Sequence, residues 1–408
     1  MPACQLRTAN SSARLARRPA PDKNTRMIGR RQIGKKGTGC FLRQKAACPL
    51  FPLLAALLAG GSIPGCVPSP AAKETKVSRE GRPLGGTVAV VYSYHYGINL
   101  GGLERLHPFD VHKYDRIYQR LVDEGLLRPR DVFVPRPVTE EEILLVHTPG
   151  FLKSLESPAT VARYLEAPIV QYAPRVAVDL GILSAFRWAA GGTVEAARLA
   201  LRHGVAVNIG GGFHHAMPDH GEGFNIYNDL AIAIRVLQRE GLIRRACVVD
   251  VDVHQGNGTA TIFAGDDSVF TFSMQERGIF PIPRAVSTVD VELPAGVGDE
   301  VYLETLAKYL PGVLDGRVPG GPVRPRPDIV LIQGGCDTLA GDPLAHLTMT
   351  AAGIVRRDAM IIDACRQRNI PVVLTLGGGY SKDAWKAQFD SIARTIRHYG
   401  AGAGDQPR

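Results

Sequence analysis

The stretch Cys247-Val-Val-Asp-Val-Asp-Val-His254 decides the fold of this chain and contains its most informative polar residues. It begins with the continuous apolar run Cys247–Val249, which is the pattern of a strand buried on both faces of a parallel sheet, and then valines alternate with polar residues. A strand sends every second side chain to the same side, so Asp250, Asp252 and His254 are expected to share one side. The stretch therefore predicts a buried strand that carries a group of potential metal ligands.

Similar apolar runs alternate along the chain with longer stretches of helical length and spacing. The predicted strands are Thr87–Ser93, Val205–Ile209, Cys247–Val253, Val269–Ser273, Ile329–Ile332 and Val372–Leu376. The predicted helices are Ala177–His203, Asn228–Glu240, Glu300–Leu314 and Thr350–Arg368. A β-α-β-α order is typical of a three-layer α/β/α domain with a mostly parallel sheet. We therefore assign residues 87–400 to a single α/β domain, followed by a short tail at 401–408.

Polar clusters directly follow four of the predicted strands. They are Gly210–His215, Asp252–Gly258, Gly334–Asp337 and Gly377–Tyr380. In open parallel sheets, ligands bind in the crevice at the carboxyl ends of the strands. The topology therefore predicts that the four clusters meet at one edge of the sheet and form a site there.

Asp252 and His254 are the first two candidate metal ligands. A carboxylate and an imidazole suit zinc, iron or cobalt better than calcium or magnesium, which prefer shells of oxygen atoms. Asp337 follows another predicted strand and is the candidate third ligand. By itself, an Asp in a glycine-rich loop is more often a turn or cap residue, but its expected place at the same edge favours a ligand. Asp342, before Pro343, is interpreted as a turn residue.

Two further motifs offer proton transfer and hydrogen bonding at this edge. His214 and His215 follow the glycines 210–212, so one imidazole could move a proton while the other gives electrostatic support. The alternative is a chance pair of surface histidines. Tyr380 ends the motif Gly-Gly-Gly-Tyr, and its hydroxyl is suited to donating a hydrogen bond to a developing oxyanion.

These motifs together resemble those of the zinc-dependent histone deacetylase family, which has the arginase/deacetylase fold. They are Gly211-Gly-Phe-His-His-Ala216, Asp250-Val-Asp-Val-His-Gln-Gly-Asn-Gly258, Cys336-Asp-Thr-Leu-Ala-Gly-Asp-Pro343 and Gly377-Gly-Gly-Tyr380, in the family's order. The stretches Leu103–Asp110, Val146–Thr148, Gln255–Gly258 and Ala352–Asp358 look most similar to the class IV branch and its bacterial relatives. The resemblance extends over about residues 87–400.

The resemblance implies a role for each residue of the site. The implied metal ligands are Asp252, His254 and Asp337, which would bind Zn²⁺, with Fe²⁺ as an alternative. His215 is implied to act as general base and then acid, with electrostatic help from His214, and Asp250 and Asn257 are implied to orient the two histidines. Tyr380 is implied to polarise the substrate carbonyl. Some family members have Asp where this chain has Asn257. A neutral amide stabilises imidazolium less than a carboxylate does, so His215 is expected to be less basic here.

The resemblance also implies a narrow tunnel for an acyl-lysine side chain. Phe224, after Gly223, matches an aromatic wall of that tunnel, whereas the opposite wall around Met274–Gly278 departs from the family's aromatic pattern. The implied activity is hydrolysis of an acetyl or longer acyl group from N-acyl-lysine or a related amine such as an acetylpolyamine. Two alternatives stay open: a ureohydrolase of the arginase or agmatinase type with two manganese ions, and a non-catalytic protein that binds acyl amines.

The charge of the chain is concentrated at its N-terminus. Residues 1–66 contain twelve Lys and Arg and one acid, so their formal charge is +11. The formal charge of the whole chain is +9, so the rest of the chain sums to −2. The domain therefore gives no electrostatic reason to expect direct nucleic-acid binding.

The N-terminal segment has the layout of a signal peptide. A basic stretch precedes the apolar run Pro49–Gly61, and Ile63-Pro64-Gly65-Cys66 resembles a bacterial lipobox, which implies lipid attachment at Cys66. We expect residues 1–66 to be a leader, residues 67–86 a flexible tether, and the protein to be exported, periplasmic or membrane-anchored in a bacterium. Two alternatives are a disordered basic extension, and a cytoplasmic protein if the true translation start excludes the leader.

Overall fold

The computed structural model describes residues 81–400. The predicted leader with Cys66, most of the predicted tether and the C-terminal tail lie outside the described residues. Among residues 81–400, no helix combines the length and apolar character needed to cross a bilayer.

Eight parallel strands form one sheet at the centre of the domain. They are β1 (Val88–Val91), β2 (Val132–Phe133), β3 (Val205–Asn208), β4 (Ala246–Asp250), β5 (Val269–Glu276), β6 (Val289–Leu293), β7 (Ile329–Gln333) and β8 (Val372–Thr375). Their order across the sheet is β2-β1-β3-β8-β7-β4-β5-β6. Every residue of β1, β3, β4, β7 and β8 is buried, as in a parallel sheet that is covered on both faces.

The α-helices lie in the connections between the strands, except for the last helix, which follows β8. These are α1 (Lys113–Asp123), α2 (Glu140–Ile143), α3 (Pro149–Ser154), α4 (Pro158–Tyr164), α5 (Arg175–Val178), α6 (Ser184–His203), α7 (Asp229–Arg239), α8 (Asn257–Ile262), α9 (Asp299–Leu314), α10 (Ala351–Gln367) and α11 (Ala384–Tyr399). Side-chain caps set five of the starts. For example, Asn228 accepts from Ala231 N and Thr350 accepts from Gly353 N.

The predicted α/β architecture and its six strands are confirmed, with ends that shift by a few residues. The strands β2 and β6 were not predicted. The first has only two residues, and the second alternates buried and exposed side chains at the edge of the sheet, so neither contains the continuous apolar run on which the prediction depended. Helix α1, which follows β1, and helix α11, which follows β8, were not predicted, and neither were the short helices α2, α3, α4 and α8.

The prediction that the central strand continues to Val253 is wrong. Strand β4 ends at Asp250, and the residues up to His254 form a loop. The reason is local: Asp250 Oδ1 accepts the Asp252 N–H at 3.2 Å, and Asp252 Oδ1 accepts the His254 N–H at 3.0 Å. These bonds from a side chain to the backbone two residues later compete with the pairing of strands. Asp252 and His254 therefore lie just beyond the carboxyl end of the strand.

Candidate active site

The four predicted polar clusters meet because their strands are neighbours. Strands β3, β8, β7 and β4 are adjacent in the sheet, and a cluster follows each of them. Hydrogen bonds join the loops directly, since Gln333 Nε2 donates to Gly212 O at 3.1 Å and to Asp252 Oδ2 at 2.9 Å. Gly378 N also donates to Asp252 Oδ2, at 3.0 Å. The four clusters therefore meet at the carboxyl edge of the sheet.

Asp252, His254 and Asp337 form a buried cluster whose ligand atoms all lie within 4.8 Å of one another. His254 Nδ1 lies 3.2 Å from Asp252 Oδ1 and 3.2 Å from Asp337 Oδ2. The other oxygen of each carboxylate is held elsewhere, because Asp337 Oδ1 accepts the Val253 N–H at 2.8 Å and Asp252 Oδ2 accepts from Gln333 and Gly378. One oxygen of each carboxylate and one imidazole nitrogen therefore point at a common position.

The electrostatics of this cluster fit a divalent cation. Burial and the adjacent Asp252 charge raise the pKa of Asp337 to about 7. Burial alone would lower the pKa of His254, but its hydrogen bonds to Asp252 and Asp337 raise it to about 10. Two buried carboxylates so close together need a positive charge between them. A set of two carboxylates and one imidazole suits a divalent metal ion and leaves room for further ligands.

The tandem histidines have different partners and different charges. His214 Nδ1 lies 2.7 Å from Asp250 Oδ2, and His215 Nδ1 lies 2.8 Å from Asn257 Oδ1. Burial lowers the pKa of His214, but the charges of Asp250 and Asp252 outweigh burial and raise it to about 8. Burial and the charges of His214 and His254 hold the pKa of His215 well below its usual value. At neutral pH the pair therefore consists of a cation and a neutral imidazole that can accept a proton.

Tyr380 is half-buried beside the cluster, with its ring centroid 6.4 Å from that of His254. Burial and the carboxylates of Asp337 and Asp252 hold the pKa of Tyr380 well above its usual value, so its hydroxyl stays protonated and can donate. Asp342 was predicted to be a turn residue, and its Oδ1 does accept the Leu344 N–H at 3.0 Å, but the side chain has a second role. Its Oδ2 accepts the Tyr380 N–H at 2.8 Å and so fixes the Tyr380 loop.

Lys113 and Arg357 are two supporting cations whose roles were not predicted from the sequence. Lys113 is buried, and its Nζ donates to Gly377 O at 2.8 Å and to Gly378 O at 3.2 Å. Arg357 Nη1 donates to Val251 O at 3.0 Å and to Gly335 O at 2.7 Å. Each cation binds carbonyl groups next to site residues. No periodic pattern reveals them, because their partners are far away in the sequence.

Aromatic rings line the approach to the site. Phe224 has a positive φ of 66°, and its ring centroid lies 5.8 Å from that of Tyr380. On another side, the Phe280 centroid lies 4.9 Å from that of His215 and 6.2 Å from that of His254. The sequence departs from the family's aromatic pattern around Met274–Gly278, and Phe280 supplies an aromatic side chain just beyond that stretch. The only local feature that marks Phe280 in the sequence is its position directly before Pro281.

Gly223 allows the Phe224 loop to approach the tandem histidines. A Cβ atom at position 223 would lie 2.5 Å from Cδ2 of His215, and the φ of Gly223 is 55°. Any larger side chain would therefore push this loop away from His215.

The comparisons with known proteins identify relatives over most of the chain. A family model described as the histone deacetylase domain matches residues 107–396. Histone deacetylase 2 of Arabidopsis thaliana is 36% identical over 313 residues, which cover 76% of this chain and 79% of that protein. An uncharacterized protein of Picosynechococcus is 38% identical over 280 residues, covering 68% and 88%. The acetoin utilization protein AcuC of Staphylococcus aureus is 28% identical over 320 residues, covering 74% and 78%.

A solved structure is similar in fold. The crystal structure of the HD domain of HDA15 has a TM-score of 0.62, at 23% identity, and the match covers 78% of this chain and 91% of that one. At this identity the likeness shows the fold alone, and it agrees with the parallel sheet described above.

Proposed function

Because this chain belongs to the histone deacetylase family, we propose that it is a zinc-dependent enzyme that removes an acetyl or longer acyl group from N-acyl-lysine or a related N-acyl amine. Membership supports a deacetylase-type hydrolase in general. The observation that carries the finer proposal is the buried cluster of Asp252, His254 and Asp337, with a neutral His215 and a protonated Tyr380 at the same sheet edge.

In this proposal, Asp252 Oδ1, His254 Nδ1 and Asp337 Oδ2 hold the metal ion. When bound, zinc would act as a Lewis acid toward the acyl carbonyl and lower the pKa of a water molecule. Fe²⁺ would be held by the same three donors, since carboxylate and imidazole ligands also suit iron.

The remaining steps belong to side chains of this chain. His215 Nδ1 is engaged by Asn257, so Nε2 is the atom that takes a proton from the attacking water and later gives it to the departing amine. The cationic His214, oriented by Asp250, stabilises the negative charge that develops nearby. The Tyr380 hydroxyl donates a hydrogen bond to the carbonyl oxygen as that oxygen gains charge.

Phe224 and Phe280 supply apolar surface to the substrate. We propose that they flank the methylene groups of an N-acyl-lysine or acetylpolyamine chain, and that Gly223 keeps this channel close to His215. An apolar, narrow approach favours a linear aliphatic amine over a bulky one.

The test is an assay of the purified full-length chain against four substrate classes. These are acetyl-lysine peptides, long-chain acyl-lysine peptides, acetylpolyamines and guanidino compounds, each with and without a chelator. We expect hydrolysis of an N-acyl amine that the chelator abolishes and added zinc restores. Urea release from a guanidino compound, with two manganese ions per chain, would instead establish the ureohydrolase alternative. Binding of acyl amines without turnover would establish the non-catalytic alternative.

We also propose that the protein is exported and anchored through a lipid on Cys66, which rests on the sequence pattern at residues 49–66. An exported enzyme would meet acetylated polyamines, peptides or envelope amides rather than histones. Labelling cells with a radioactive lipid precursor should mark the wild type and leave a Cys66→Ala variant unmarked, whereas equal labelling of both would contradict the anchor.

A further inference from the structure

His215 is linked to a carboxylate through one intervening amide. Its Nδ1 lies 2.8 Å from Asn257 Oδ1, and Asn257 Nδ2 donates to Glu222 Oε1. His215 and Asn257 are buried, whereas 29% of the Glu222 side chain is exposed. The three side chains form a line from the interior of the site to its rim, and nothing in the motif containing Asn257 points to Glu222.

The chemistry of the carboxylate fixes the orientation of the amide. An ionised Glu accepts hydrogen bonds and donates none, so the NH₂ group of Asn257 must face Glu222. The carbonyl oxygen of Asn257 must then face His215, where it accepts a hydrogen bond from Nδ1–H. If the amide were reversed, its NH₂ group would face Nδ1 and the ring proton would move to Nε2. His215 would then have no lone pair at the atom that faces the reaction.

The backbone around Glu222 is built to keep this contact. Asn225 Oδ1 accepts the His215 N–H at 2.9 Å, and Asn225 N donates to Glu222 O at 2.9 Å. The short loop from Glu222 to Asn225 therefore binds the backbone of His215 and also carries Glu222, which orients Asn257. The absence of a Cβ at Gly223 permits the approach.

We propose that Glu222 is a positioning residue that locks His215 in the tautomer with the proton on Nδ1 and so makes Nε2 the proton acceptor. The proposal rests on the proposed function for the role of His215 in catalysis, but the tautomer itself does not depend on it. Glu222 thereby supplies, through the Asn257 amide, the carboxylate that position 257 lacks.

The experiment compares Glu222→Ala and Glu222→Gln with wild type. In E222A the amide is free to turn, so we expect kcat to fall about 10- to 100-fold with a much smaller change in KM. In E222Q the side-chain oxygen can still accept from Asn257, so we expect a smaller loss of kcat. Glu304 is an exposed glutamate on α9, so Glu304→Gln is the matched control and should change neither kcat nor KM.

A second readout needs no turnover. In metal-free protein with ¹⁵N-labelled histidine, the His215 signals, assigned by their loss in His215→Gln, should show the Nδ1–H tautomer in wild type and an added Nε2–H population in E222A. The double variant E222A/N257D places a carboxylate directly on Nδ1 and should recover both kcat and the single tautomer.

The outcomes separate the two proposals. Wild-type kcat in E222A, an unchanged tautomer in E222A, or a loss of kcat that N257D does not rescue would each overturn the positioning role. A wild type that hydrolyses no N-acyl amine would refute the proposed function, while the tautomer measurement would still decide the role of Glu222.

Discussion

Replacement of the buried Arg357 tests how the site is held together. Arg357 has no exposed surface, and its Nε lies 2.8 Å from Asp358 Oδ1. Its Nη1 group binds the carbonyl oxygens of Val251 and Gly335, which lie beside the metal-ligand loops after β4 and β7. In Arg357→Met, the Asp358 carboxylate would keep only the Ser391 hydroxyl at 2.6 Å. Val251 O would keep only the Tyr302 hydroxyl at 3.2 Å, and Gly335 O would lose its bond from Arg357.

The magnitude follows from those lost contacts. Breaking a buried ion pair by removal of one partner costs about 3–5 kcal/mol, which is a large part of the roughly 5–15 kcal/mol by which a domain is stable. We therefore expect Tm to fall on the order of 5 to 10 °C. Because the affected carbonyl groups lie beside Asp252 and two residues before Asp337, zinc affinity should fall about 10-fold or more.

The assay is urea and thermal unfolding followed by circular dichroism, with zinc affinity measured by competition with a chelating dye. Arg356→Met is the matched control, since Arg356 is the exposed neighbour on the same helix and should change stability by less than about 0.5 kcal/mol. An R357M protein as stable as R356M, with the same zinc affinity, would show that Arg357 does not hold the ligand loops.

Three further predictions concern single residues of the site and its surroundings. Tyr380→Phe should lower kcat about 10²- to 10³-fold with little change in Tm, because it removes one oxyanion donor; unchanged hydrolysis in a steady-state assay would show that Tyr380 is misassigned. Gly335→Ala should abolish zinc binding in the dye competition, because its Cβ would lie 1.9 Å from Asp252 Oδ2, whereas Gly150→Ala, with its nearest atom 3.9 Å away, should bind normally. Burial lowers the pKa of His147 to about 4, below its unfolded value of about 6.5, so its contribution to stability is present above pH 6.5 and lost as pH falls toward 4. His147→Gln should therefore flatten the urea-unfolding free energy over that range, and an unchanged pH dependence would contradict this.

The sequence by itself predicted the features that are encoded locally. The apolar runs of β3, β4, β7 and β8 are buried on both faces, so each can be identified as a strand without knowledge of its neighbours. The polar motif after each strand was equally visible. Because all carboxyl ends of a parallel sheet share one edge, it could be inferred that these motifs meet.

The tertiary structure decided which side chains support the site. Glu222 reaches Asn257 across 35 positions, Asp342 reaches Tyr380 across 38, and Arg357 reaches Val251 across 106. Phe280 became an aromatic wall of the site because its loop folds back over His215. None of these pairs has a periodic or local signature, since hydrogen bonding and packing between distant loops depend on how the strands are ordered. Strand order is a property of the assembled sheet. A single sequence indicates where the strands are but does not indicate which strands are adjacent.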